Sequence, residues 1–376
     1  MRCSIFKRQR PVRAVAHACL MITAMGLTAG GSLAQTDFDH EPLAKQMLEG
    51  HIRPGYADFA QKSGALSAVL DAACKQRDAK DADRVRNAFR DAALSWSRIE
   101  HLRFGPVTEK SRLDRIIDPQ RTGEGQVKTI IEKRDAAVLT AADLQKKDAG
   151  VQGLTALEML LYPKTDAVMA DTDDGKFACG YAAAISGNLS SIAKELVAAW
   201  ADGGTFVGVW SKPGAQNALY KTADGPTLEL LQAFRLGINN IRELKLLTPL
   251  GTKRLSANGP FAPKSRPPFD LSGLSVSTIA ANIEGTLDLF EKGGFADRLT
   301  VGDADSTELI KTELGRAIKL ARQIEPTGAA AFADKANTEK LAAMVKPLFL
   351  AFKLGGDALE MKIAGKLAGF SDNDGD

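Results

Sequence analysis

Histidine and cysteine are scarce in this chain, with four of each among 376 residues. The scarcity limits the metal chemistry on offer. A hydrolytic zinc site takes three protein ligands and keeps one position open. The histidines beyond the N-terminal segment are His40, His51 and His101, and none belongs to an H-E-x-x-H pattern. They read as solvated surface residues. No G-x-S-x-G elbow and no glycine-rich phosphate loop appears either. Strand alternation is nearly absent, which argues against a sheet. After residue 34 no apolar run is long enough to span a bilayer.

A basic excess is missing too. The 49 Lys and Arg barely outnumber the 46 Asp and Glu, and five of the basic residues (Arg2, Lys7, Arg8, Arg10, Arg13) sit in the first 34 positions. The rest of the chain is slightly acidic, so no nucleic-acid surface is indicated. Those first residues carry a basic start, an apolar run from Ala14 to Gly30 and a small-x-small site at Ser32-Leu33-Ala34. This is the pattern of a secretory signal peptide. Its removal takes Cys3 and Cys19 with it and leaves Cys74 and Cys179. An even count in an oxidising compartment favours a Cys74–Cys179 disulfide, with two buried free thiols as the alternative.

What is present is helical periodicity. Val85, Phe89, Ala92, Trp96 and Ile99 step by threes and fours, as do Tyr181, Ile185, Leu189, Ile192, Leu196 and Trp200. Further stripes run through Leu231 to Ile241, Ile279 to Phe290 and Ile310 to Ile324. The fold class is therefore all-α, with two helical, four-helix-bundle-like domains. The expected divisions are a signal peptide at 1–34, a first bundle at 35–165, a second at 166–370 and a disordered acidic tail at 371–376. Ala88-Phe89-Arg90 before Gly105-Pro106 echoes Ala233-Phe234-Arg235 before Thr248-Pro249-Leu250-Gly251, which suggests a divergent duplication. A Pro-rich stretch from Gly251 to Asp270 is too long for a simple connector and reads as a functional or mobile loop. Asp171 to Gly175 resembles the start of a calcium loop, but its twelfth position is Ala182 rather than Glu, so a helix cap is expected.

One carboxylate stands out. In Gly153-Leu154-Thr155-Ala156-Leu157-Glu158-Met159-Leu160-Leu161-Tyr162, the helical neighbours of Glu158 are Leu154, Thr155, Leu161 and Tyr162. A helix apolar on every side is a buried one. Its carboxylate must then find a cation, a metal or several donors, or stay protonated. A core helix with one paired Glu is the plain reading; a functional site is the sharper one.

This stretch resembles the G-x-H-x-x-E signature of the imelysin-like proteins. Gly153 and Glu158 match, and Thr155 stands in place of the His. The resemblance extends to the secretory signal, to Trp96 and Glu100 ahead of Gly105-Pro106, and to Cys179 after the signature. It implies two helical bundles, a periplasmic or surface location and a link to iron acquisition. The family was classed with metallopeptidases on its His and Glu.

Three sites follow. A metal could sit between Glu158 and Glu100, because carboxylate oxygens suit iron, although the His of a di-iron bundle is missing. A charge-lined pocket could instead use Glu158, Thr155, Gly153, Glu100, Trp96 and Arg103 with Arg235, Arg242 and Lys245 of the second half, holding a small polar ligand or metal chelate. The same cations could equally lie on solvated helix faces. The leading expectation is a periplasmic, non-catalytic imelysin-like protein that binds a small ligand, an iron species or an envelope partner in iron uptake. The alternatives are a metal-dependent peptidase and a structural module of an envelope complex.

Overall fold

Apolar residues three and four apart wind most of the chain into helix. The computed structural model describes residues 38–364 apart from Pro163 and Val301, so the signal segment and the acidic tail lie outside the described residues. Helix α1 (His40–Met47) continues through a π-turn at Leu48–Ile52 into α2 (Arg53–Gln76). Then come α3 (Ala82–Ile99), the short α4 (Arg112–Ile116), α5 (Glu124–Lys133), the signature helix α6 (Gly153–Leu161) and the long α7 (Asp173–Trp200). Helix α8 (Gly225–Asn240) runs into a second π-turn at Ile241–Leu247. Later helices include α9 (Ser275–Glu291), α10 (Ala304–Ala321), α11 (Val345–Leu350) and α12 (Gly356–Ala364), with shorter helical segments between the elements named. The described residues contain no strand, only an isolated bridge between Arg254 and Phe261. No described helix is long and apolar enough to cross a membrane.

The elements follow from their residues. In α3 the stripe Val85, Phe89, Ala92, Trp96 and Ile99 is buried, while Asp83, Arg84, Asn87 and Arg90 face water. Helix α7 starts where the Thr172 hydroxyl accepts the Gly175 N–H at 3.1 Å, with Asp173 and Asp174 in the first turn, favourable to the helix dipole. The acidic run is thus a helix cap, as its sequence indicates.

Helix α2 packs along both α3 and α7, and α6 lies on α7. Helix α3 also crosses α9, which packs on α10. The crossing is close: a Cβ at Gly285 would lie 1.8 Å from the Arg98 carbonyl oxygen. Only glycine lets the two backbones meet there. Asn282, one turn away, donates to the Ser97 carbonyl at 2.6 Å.

Cys74 near the end of α2 is bonded to Cys179 on α7, with Cα atoms 5.6 Å apart and a sequence separation of 105. The bridge ties the two longest helices together. Replacing both cysteines by serine is expected to lower stability by about 4 kcal/mol, because the unfolded chain regains a long open loop. Urea unfolding of the oxidised protein and the double variant measures this directly.

Candidate functional site

The signature helix is buried as its sequence requires, with Leu154, Ala156, Leu157, Leu160 and Leu161 all in the core. Its three signature residues each hold one short segment of chain. Gly153 opens the helix at φ +70°, and a Cβ there would lie 2.5 Å from the carbonyl oxygens of Arg115 and Ile116. The Thr155 hydroxyl donates to the Asp118 carbonyl at 3.0 Å and accepts the Asp118 N–H at 3.2 Å. Glu158 accepts from Arg121 Nη2 at 3.2 Å. Positions 153, 155 and 158 thus grip residues 115–116, 118 and 121 in turn. A hydroxyl both gives and takes a hydrogen bond, so Thr155 satisfies both backbone groups of one residue.

Glu158 is 1% exposed. Its other oxygen accepts from the Ser272 N–H at 2.8 Å and the Ser272 hydroxyl at 2.6 Å. Arg121 is shared with Asp270, which in turn accepts from Arg266 Nε at 2.7 Å. The ion chain runs outward from the core to Arg266, which is half-exposed. Burial pushes the Glu158 carboxyl above its ordinary range, and the bonds from Ser272 and the Arg121 charge only partly offset this. Asp270 and Ser272 lie at the end of the Pro-rich stretch and just beyond it, so that loop is anchored on the signature.

Glu100 forms a second buried node. Lys245 Nζ, in the π-turn after α8, donates to it at 2.5 Å, Asn282 Nδ2 at 3.0 Å and Arg103 Nη2 at 3.3 Å. Burial pushes this carboxyl up, but the Lys245 and Arg103 charges outweigh it and hold the group below its ordinary range. Beside it His51 and His101 are not surface residues, as their sequence context suggested. Both are buried, with Nε2 atoms 2.9 Å apart and the rings stacked. His51 comes from the π-turn ahead of α2, which folds it inward.

The remaining expected site residues are elsewhere. Trp96 is wholly buried against Phe59. Arg235 pairs with Asp357 and Glu360, and Arg242 pairs with Glu243 while stacking over Phe349 and Phe352. Of the cation stripe, Lys245 alone reaches Glu100. Among the described residues no ion pair or hydrogen bond joins Glu100 to Glu158, and no group of three His, Cys, Asp or Glu side chains is placed to hold a metal. The donor set does not suit one: each carboxylate already has a buried cation against it.

The segment gripped by the signature helix lines an open groove of ≈ 590 Å³. Its walls include Arg103, Asp118, Thr122, Gln126, Asp148 and Ala149. Asp118 links the two features. Thr155 holds its backbone, and its side chain faces the groove lining.

The sequence pattern of the imelysin family matches residues 52–351. The chain belongs to the imelysin family. No curated protein is significantly similar to it. Among solved structures it resembles an imelysin-like protein from Psychrobacter arcticum 273-4, at 19% identity and a TM-score of 0.69, over 88% of this chain and 97% of that one. It also resembles a protein described as an iron-regulated protein A precursor from Parabacteroides distasonis ATCC 8503, at 14% identity and a TM-score of 0.70, over 86% and 95%. At these identities the likeness is one of fold.

In this imelysin the residue in the place of the signature His is a backbone clamp. Reading the sequence for a cation near Glu158 does not find Arg121, because a buried carboxylate says that a partner exists and not which of the many arginines it is. Asp118, Asp270 and Ser272 carry no local signal beyond their place in turns and a Pro-rich loop.

The histidine pair makes stability pH-dependent. Burial lowers His51 from 6.5 to about 4, with the Asp288 charge opposing and Lys292 assisting, and His101 is lowered well below its ordinary value. The folded value lies below the unfolded one, so the stabilisation is complete above pH 6.5 and is lost as pH falls toward 4. His51 alone is expected to remove about 2 kcal/mol between pH 7 and pH 5. Urea unfolding at the two pH values should show the loss, and His51→Asn should reduce it.

Proposed function

We propose that this imelysin is an exported, non-catalytic binding protein of iron uptake, and that its binding site is the groove beside the signature helix. The observation that carries the reading is the triple grip of Gly153, Thr155 and Glu158 on residues 115–121, the segment that forms a groove wall. The family signature is spent on shaping this surface. A groove of ≈ 590 Å³ has the size of a small-molecule site, and its largely polar lining suits a polar ligand. The N-terminal pattern and the Cys74–Cys179 bridge support export to an oxidising compartment, the periplasm. The iron context is supported by the description of one fold relative as iron-regulated. The ligand is a small molecule or an iron species, and an envelope partner would receive or deliver it.

The signature residues offer a peptidase no available base. Both Glu158 oxygens and the Thr155 hydroxyl are engaged by protein groups. Native mass spectrometry of protein purified from the periplasm without chelators tests the proposal. The expected result is a bound small molecule or iron species in the wild type that is absent from Ala149→Trp, which fills the groove, with the fold intact. Occupancy unchanged in Ala149→Trp would refute the site. Peptide hydrolysis lost in Glu158→Gln would refute the non-catalytic reading.

A further inference from the structure

The carboxylates of this protein are treated unequally. Glu158 and Asp270 share Arg121, and Glu100 has Lys245 and Arg103. Three carboxylates that line the groove, Asp114, Asp118 and Asp148, are paired with no Lys or Arg among the described residues. Asp118 is the telling one. It is 9% exposed. Its Oδ2 accepts from the Thr122 hydroxyl at 2.9 Å and the Gly123 N–H at 3.0 Å. Its Oδ1 meets no protein donor and is not sealed in the interior, and Asp118 is among the residues that line the groove. A carboxylate so little exposed is costly without a countercharge. Asp148 takes one N–H, from Gln126 Nε2 at 2.9 Å, and keeps acceptor capacity.

Among the described lining residues Arg103 is the one cation, and it is committed to Glu100, donating to that residue's carbonyl and to its carboxylate, each at 3.3 Å. The groove lining therefore carries more negative than positive charge, which favours a cationic ligand. The three carboxylates are not gathered around a point: no three-ligand metal cluster exists among the described residues. A space of ≈ 590 Å³ also far exceeds a bare ion.

We infer that the groove takes its ligand by an ammonium or guanidinium group held between Asp118 and Asp148. This rests on the groove being the binding site and names the chemistry that the site selects. The cationic group satisfies Asp118 Oδ1 and the free acceptor positions of Asp148, and the body of the ligand lies along Ala149 and the 117–123 wall. The source is either a free amine or an iron chelate that presents one.

Isothermal titration at low ionic strength tests this with spermidine as the organic cation, glutarate as an anion and magnesium chloride as a divalent metal, using full-length mature protein. Spermidine should bind the wild type, and Asp118→Asn should weaken it roughly tenfold or more, the loss expected for a hydrogen bond to a charged group. Asp148→Asn, at an exposed position that tolerates change, should weaken it in the same direction and keeps the test open if Asp118→Asn does not fold. Added salt should weaken binding in the wild type more than in either variant. An amine-bearing ferric chelate that competes with spermidine would identify the chelate source, and failure to compete would identify the free amine. The inference is overturned if spermidine does not bind, if both Asn variants bind it as the wild type does, or if magnesium binds in its place. Glutarate bound and then displaced by Ala149→Trp would overturn the cationic ligand yet leave the groove as the site. No titrant bound and nothing co-purified would bring down both.

Discussion

Three residues on one buried helix hold the wall of the groove in place. Gly153 lets the helix begin against the Arg115 and Ile116 carbonyls, Thr155 closes both backbone bonds of Asp118, and Glu158 anchors Arg121. Each is a constraint of a different kind: close approach, hydrogen bonding and charge. Together they fix a segment that contains little regular helix of its own between α4 and α5. Glu158 reaches further still. Through Ser272 and the shared Arg121 it also holds the end of the Pro-rich stretch and the turn that enters α9. One carboxylate thus joins the groove wall, the signature helix and the long loop.

Buried charge is an expensive way to make such a joint. Removing one partner leaves an uncompensated charge, at a cost of about 3–5 kcal/mol, while an apolar replacement of the whole pair is often neutral. What the ions add here is direction. Arg121 can meet Glu158 and Asp270 only if the loop and the 115–122 segment arrive in one register. Glu100 plays the same part at the other node, where α3, the π-turn after α8 and α9 meet through Lys245 and Asn282. The glycine crossing at Gly285 brings the backbones near enough for Asn282 to reach Ser97.

Much of this was legible in the residues alone, and what was legible concerns faces rather than partners. The stripes of α3 and α7, the cap at Thr172 and the all-apolar surroundings of Glu158 follow from spacing within one helix. The Cys74–Cys179 bond follows from a count of two. The identity of the Glu158 cation does not, since Arg121 is 37 residues away and comes into place through a left-handed turn at φ +55°. His51 and His101 looked like surface residues because neither flanking sequence shows the π-turn that turns His51 inward or the packing that covers His101. Arg235 and Arg242 sit on the expected helical stripe, yet Asp357, Glu360 and Glu243 take them, because α12 and the π-turn bring acids to that face. Periodicity tells which side of a helix is dry; it does not tell which charges the fold will bring to the wet side.

The central claim is that the signature helix serves to hold the groove wall. Amide hydrogen exchange in Thr155→Val tests it most directly, because valine keeps the volume and removes both bonds to Asp118. Faster exchange confined to residues 115–123, with α10 protected as in the wild type, is the predicted result. Unchanged protection of that segment in a folded variant would contradict the account, since the wall would then stand without its clamp.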